Sequence, residues 1–82
     1  EASAYVTVRL KQNTWPSLCV KLRKIPQVQH IALVGGTFDV MLLVRARGTA
    51  ELREVIFDRI QPMPEVVDTQ TFLIFEDVDV RG

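Results

Sequence analysis

The sequence predicts an α+β fold in the order βαββαβ, with a four-stranded antiparallel sheet carrying two helices on one face. Three observations predict it. Four segments alternate apolar and polar residues with the period of a strand, two others place apolar residues at helical spacing, and the connectors between them are short and marked by Gly or Pro. That order is the split βαβ, or ferredoxin-like, arrangement.

The first strand is expected over residues 4–10, where Ala4, Val6, Val8 and Leu10 share one side and Tyr5, Thr7 and Arg9 the other. Thr14 is placed to cap a helix, and Pro16 fits its first turn, where a missing N–H is no loss. Trp15, Leu18, Cys19, Leu22 and Ile25 then form an apolar stripe, so the helix is expected to run to about Ile25, with Trp15 plugging the end of the core. Pro26 ends it. A second strand over 28–34 and a third over 38–46 flank Gly35-Gly36, which supplies the backbone freedom of a hairpin. Thr49 is the expected cap of a second helix, whose stripe is Leu52, Val55, Ile56 and Ile60 and which stops before Pro62. The fourth strand is expected over 66–76, with Val78-Asp79-Val80 prolonging it or forming a small extra strand.

An 82-residue chain, 48% hydrophobic and 24% charged, fits one domain over residues 1–82. At this length only ~60–65% of the unfolded chain's surface is buried on folding, so burial against a partner is the natural supplement. Ten acidic and ten basic side chains cancel, with a pI of about 6.9, and no long-range field concentrates this segment on nucleic acid. Its apolar runs are far shorter than the ~20 residues of a membrane helix, and no signal peptide opens the chain. Cys19 is the only cysteine, so no internal disulfide or thiolate metal site can form, and a reducing, cytoplasmic setting is expected. No cofactor is implied. The first residue is Glu, as expected of a fragment or processed product.

Two helices cover one face of such a sheet, yet the other face is not polar. In the third strand Phe38, Val40, Leu42, Val44 and Ala46 make one face while Met41 and Leu43 lie on the other, and in the fourth Leu73 and Phe75 oppose Phe72 and Ile74. Removing even ~400 Å² of apolar area from water is worth roughly 10 kcal/mol before the cost of association. A contiguous apolar patch of that kind marks an interface, unless loops or the tail over 77–82 fold across it.

Chemistry-bearing residues are sparse. His30 is the only histidine and has no metal-binding companions. Cys19 reads as packing on the helical stripe, and Glu51, Glu54, Asp58 and Glu65 as a solvated acidic face. Arg45 and Arg47 form at most a small basic spot. The most suggestive segment is Gly35-Gly36-Thr37-Phe38-Asp39: glycines let a ligand approach free peptide N–H groups, and Asp39 is able to receive an ammonium group, a combination suited to an α-amino acid. The competing reading is a plain hairpin whose Asp satisfies local backbone donors.

The run Val34-Gly35-Gly36-Thr37-Phe38-Asp39-Val40, an apolar strand, an acidic helix and Val66-Val67-Asp68-Thr69-Gln70-Thr71 together resemble the effector domain of the Lrp/AsnC transcription regulators. The family pattern is Gly-x-Tyr-Asp, a helix, a short connector and a Thr-x-Thr strand. The resemblance implies a ferredoxin-like domain that forms a homodimer through its sheet, assembles dimers into tetramers or octamers, and binds an amino acid or related metabolite between dimers. Gly36, Phe38 and Asp39 stand where the family's Gly, Tyr and Asp stand, and Thr69 and Thr71 match its last strand. Phe38 lacks the tyrosine hydroxyl. The family's helix-turn-helix has no room before the first strand, which implies an excised or stand-alone effector domain.

Two other functions fit the same plan. A small monooxygenase of the dimeric α/β-barrel type would use a pocket between sheet and helices, with His30 and Trp15 as its candidates. A single-strand RNA-binding sheet needs basic and aromatic residues on the third strand, which carries Met41, Leu43 and Arg45 instead.

Overall fold

The computed structural model describes residues 1–81. Strand β1 (Ala2–Leu10) leads through helix α1 (Trp15–Arg23) to β2 (Val28–Leu33) and β3 (Val40–Ala46). Helix α2 (Thr49–Arg53) runs on unbroken as a π-helical segment (Glu54–Ile60), and β4 (Val66–Leu73) completes the sheet. The strand order is β2-β3-β1-β4, all neighbours antiparallel, as the βαββαβ pattern requires.

The alternation that predicts the strands also decides what they bury. Ala4, Val6 and Val8 of β1 and Val40, Leu42 and Val44 of β3 lie on the helix-bearing face, where they are fully buried with Leu18 and Leu22 of α1. Leu52, Val55, Ile56 and Ile60 seal the same core from above. Trp15 packs against its rim, half-buried, as expected of a plug.

Element ends depart from expectation where side chains find better partners. Thr14 occupies the capping position of α1, but its hydroxyl donates to the Lys11 carbonyl at 2.7 Å and caps nothing. Gly48, not Thr49, is the residue before α2, and the helix is closed from inside: Glu51 in its first turn accepts the Arg47 backbone N–H at 2.8 Å. Helix α1 stops at Arg23, and Ile25 reaches the core from the following turn, through its N–H to the Leu22 carbonyl. The π-helical hydrogen bond, Gln61 N–H to the Ile56 carbonyl at 2.9 Å, has no counterpart in the apolar stripe that predicts the helix. Strand β4 ends at Leu73, and residues 78–80 form no strand.

The opposite face carries the apolar residues expected of it. Register places His30, Leu43, Tyr5 and Phe72 in one row across the four strands, and Ala32, Met41, Thr7 and Gln70 in the next. Met41 and Leu43 are half-buried by their neighbours, whereas Tyr5 is 40% and Phe72 52% exposed. No helix of the described residues is long and apolar enough to cross a membrane.

Candidate functional site

The hairpin between β2 and β3 is built by one unusual residue. Gly36 has φ +138°, a conformation that L side chains rarely adopt, and a side chain there would meet nothing within 4 Å, so backbone freedom and not space requires the glycine. The hairpin is tied down at its far end by Asp39. Its backbone N–H donates to the Val8 carbonyl at 3.0 Å, its carbonyl accepts from Val34 at 2.8 Å, and its Oδ2 accepts the Leu10 backbone N–H at 2.8 Å.

Asp39 therefore fixes the hairpin against the end of β1, the local bracing role that competed with ligand binding in the sequence. It faces a depression of about 410 Å³ beside Lys11, Thr14 and Trp15. Thr37 and Phe38 lie elsewhere. They line a cleft of about 380 Å³ on the open face of the sheet, together with Thr7, Arg9, Asp68, Thr69 and Gln70. The structure thus brings three of the candidate residues, Thr37, Phe38 and Thr69, into one cleft. Gly35, Gly36 and Thr71 do not line it, and Thr71 sits half-buried opposite Val6.

Sequence reasoning missed the two charges in this cleft. Arg9 lies near the end of β1 and Asp68 near the start of β4, and cross-strand register sets them opposite one another with Arg9 Nη1 3.8 Å from Asp68 Oδ2. Both side chains are more than half exposed, so the pair contributes little to stability and each charge is open to exchange. The alternation of β1 placed Arg9 on the open face, but its partner lies 59 residues away and only the β1–β4 register reveals it.

Another depression, of about 560 Å³, lies at the opposite end of the sheet around Gln27, Arg45, Arg47 and Glu51. Its charges serve the fold. Glu51 accepts from the Arg47 backbone, from Gln27 Nε2 at 2.7 Å and from Arg47 Nε at 3.0 Å, and these bonds, the backbone one foremost, hold its carboxyl down at about 2. Glu65 behaves similarly. It is 6% exposed, accepts the Ser17 hydroxyl, and lies 3.0 and 2.9 Å from Lys21 Nζ through its two oxygens; the Ser17 bond, then the Lys21 ammonium, lowers its carboxyl to about 2. The expected solvated acidic face is corrected at both residues. Arg45 and Arg47 make no joint basic spot, being paired with Asp77 and Glu51. Cys19 is half-buried and borders a depression between α1 and β2, outside the core packing expected of it.

Nothing in this geometry assembles the enzymatic alternative. His30 borders a depression between α1 and the outer edge of β2, whereas Trp15 borders the one beside Asp39. Among the described residues no group of three His, Cys, Asp or Glu side chains is placed to hold a metal ion.

Comparison with known proteins agrees with the fold. Residues 3–82 match the model of the Lrp/AsnC ligand binding domain. The proline dehydrogenase transcriptional activator of Rhodobacter capsulatus is 31% identical over 77 residues, 90% of this chain and 50% of the activator. The chain thus spans about half the length of the curated relatives it matches. Among solved structures, TTHA0845 from Thermus thermophilus superposes with a TM-score of 0.88 at 29% identity, covering 98% of this chain and 100% of that one. The Neisseria meningitidis transcriptional regulator NMB0573, solved as its L-Met complex, gives 0.89 at 16% identity, over 96% of this chain and 53% of that one, a likeness of fold. The relatives are regulators and not enzymes, which removes the support for a monooxygenase. By its sequence from residue 3 onward and by its βαββαβ architecture, this chain belongs to the Lrp/AsnC ligand-binding domain family.

Proposed function

We propose that this chain is the effector-sensing and oligomerising part of an Lrp/AsnC-type transcription regulator. It forms a homodimer through the open face of its sheet, its dimers assemble further, and a small amino-acid-like ligand binds at the rim where dimers meet. The observation that carries this reading is the cleft on the open face, in which Thr37 and Phe38 of the hairpin meet Thr69 of β4 beside the opposed charges of Arg9 and Asp68. A zwitterion needs a cation for its carboxylate and an anion for its ammonium group, and Arg9 and Asp68 supply one of each. Phe38 offers an apolar wall for a side chain, and about 380 Å³ lies within the ~300–1,000 Å³ range of small-molecule sites. The Gly35-Gly36 backbone and Asp39 hold the wall in place, and Thr71 continues the strand that carries Thr69.

Pairing rests on the rows that cross the open face, where Tyr5, Leu43 and Phe72 lie side by side. Thr7 and Gln70 of the cleft belong to the next row on this face, so a neighbour packed there narrows its mouth and binding and assembly become linked.

A thermal-shift screen of the twenty amino acids tests the sensing reading. A ligand that fits raises the melting temperature, and Arg9→Ala, which removes an exposed side chain, abolishes the rise. A flat response to all twenty assigns the domain a purely architectural role.

A further inference from the structure

One buried hydroxyl of the sheet has no structural task. Thr7 is 5% exposed, and with Glu65 it makes up the buried polar residues of the described chain. Glu65 is satisfied by Ser17 and Lys21. Thr7 stands on the open face between Met41 of β3 and Gln70 of β4, and among the described residues no side-chain hydrogen bond engages its hydroxyl. Nor is that hydroxyl sealed away, as the unpartnered amide oxygen of Gln27 is. Valine has the same shape, suits a strand and carries no polar group to satisfy, so packing alone does not call for threonine here. What stays accessible of Thr7 opens into the cleft that holds Phe38, Arg9 and Asp68.

The register sets a scale for that cleft. Thr7 faces Gln70 across the strands as Arg9 faces Asp68, two residues away along each strand and on the same face. The two rows are therefore ~7 Å apart. An amino acid held at its carboxylate by Arg9 and at its ammonium group by Asp68 has that distance to cross with its side chain. A hydrogen bond of ~2.8 Å at the far row leaves ~4 Å, the length of a short chain ending in a hydroxyl or a carboxamide. Phe38 covers the stem of such a chain, while Thr7, Thr37, Thr69 and Gln70, each able to donate and accept, line the rest of the cleft. A charged side chain finds no counterion there beyond the two that the zwitterion occupies. An aliphatic one displaces water from these groups and returns no hydrogen bond.

We propose that Thr7 determines the specificity of the cleft, and that the ligand is an α-amino acid with a short, neutral side chain ending in a hydroxyl or a carboxamide. This rests on the reading that the cleft receives an amino-acid-like ligand. Arg9 and Asp68 hold what all amino acids share, and Thr7 reads what differs between them.

Calorimetric titration of the full chain with three near-isosteric pairs tests the division of labour: threonine against valine, asparagine against leucine, and glutamine against methionine. In at least one pair the polar member is expected to bind about tenfold more tightly. Thr7→Val and Thr7→Ala remove that preference, Thr7→Ser keeps it, and Arg9→Ala weakens both members of the pair alike. Two substitutions delete the hydroxyl so that the result does not hang on the folding of either, which circular dichroism checks. Aliphatic members bound as tightly as their polar isosteres, a preference that survives loss of the Thr7 hydroxyl, or binding confined to other amino acids overturns the inference; if Arg9→Ala still abolishes that binding, the cleft reading stands. A chain that binds none of the twenty amino acids overturns both.

Discussion

Replacing Phe72 by Ala isolates the contribution of the open sheet face, because this side chain takes no part in the buried core. A buried Phe removes ~150–250 Å² from water. With 52% of the residue exposed in one chain, roughly 80–130 Å² remains to be covered by a partner, or about 160–260 Å² over the two copies. At ~25 cal/mol per Å² that corresponds to ~4–6 kcal/mol of gross transfer energy per dimer. Area converts poorly to affinity and Ala keeps part of the contact, so about half is expected to survive as a loss of ~2–3 kcal/mol, a weakening of the dimer by roughly 30- to 150-fold. Sedimentation velocity across a concentration series measures it. Circular dichroism at a dilution where both proteins are monomeric should give superimposable spectra and nearly equal melting temperatures. A dimer constant unchanged by Phe72→Ala refutes the reasoning, and so does a variant that unfolds as a monomer, because Phe72 would then belong to the core.

Two further substitutions test how the site is framed. Gly36→Ala places a side chain at φ +138° and should destabilise the chain by ~1–2 kcal/mol in urea unfolding, with the loss felt in the hairpin and not as a clash, since the space around it is open. Glu65 titrates from a folded value of about 2, below its ordinary 4.5, so its bonds to Ser17 and Lys21 stabilise fully above about pH 4.5 and are lost as pH falls toward 2. Glu65→Gln should therefore melt below the wild type at pH 7, with the gap narrowing steadily between pH 4.5 and 2; a gap that stays constant over that range contradicts the role given to the carboxylate.

The sheet and its core are legible in the sequence because alternation is a local signal. Val6 and Val8, Leu42 and Val44 announce their face within a few residues, and Met41 and Leu43 announce the opposite one just as directly. What sequence reading misses is long-range pairing of polar groups. Glu65 resembles any surface acid until α1 brings Ser17 and Lys21 to it from 48 and 44 residues away, and Asp39 finds the Leu10 N–H across 29. Arg9 and Asp68 meet only through the β1–β4 register, so the cleft was half visible: its hairpin wall and Thr69 in the motif, its charges not. The tail fails as a predicted strand for a related reason. Its residues have strand propensity, but a strand exists only where a neighbour accepts it, and β1, which begins at Ala2, ends its pairing with β4 at Ser3 and Ile74.

The central claim is that this domain receives an amino-acid-like ligand in the cleft between the Gly35–Asp39 hairpin and the start of β4. Amide chemical-shift mapping of the isotope-labelled chain against the twenty amino acids tests it most directly. The account predicts that at least one of them shifts the amides of Gly36 to Asp39 together with those of Arg9 and Asp68 to Gln70, in a saturable manner. Shifts gathered instead around Gln27, Arg47 and Glu51 at the far end of the sheet, or no shift from any amino acid, would contradict it.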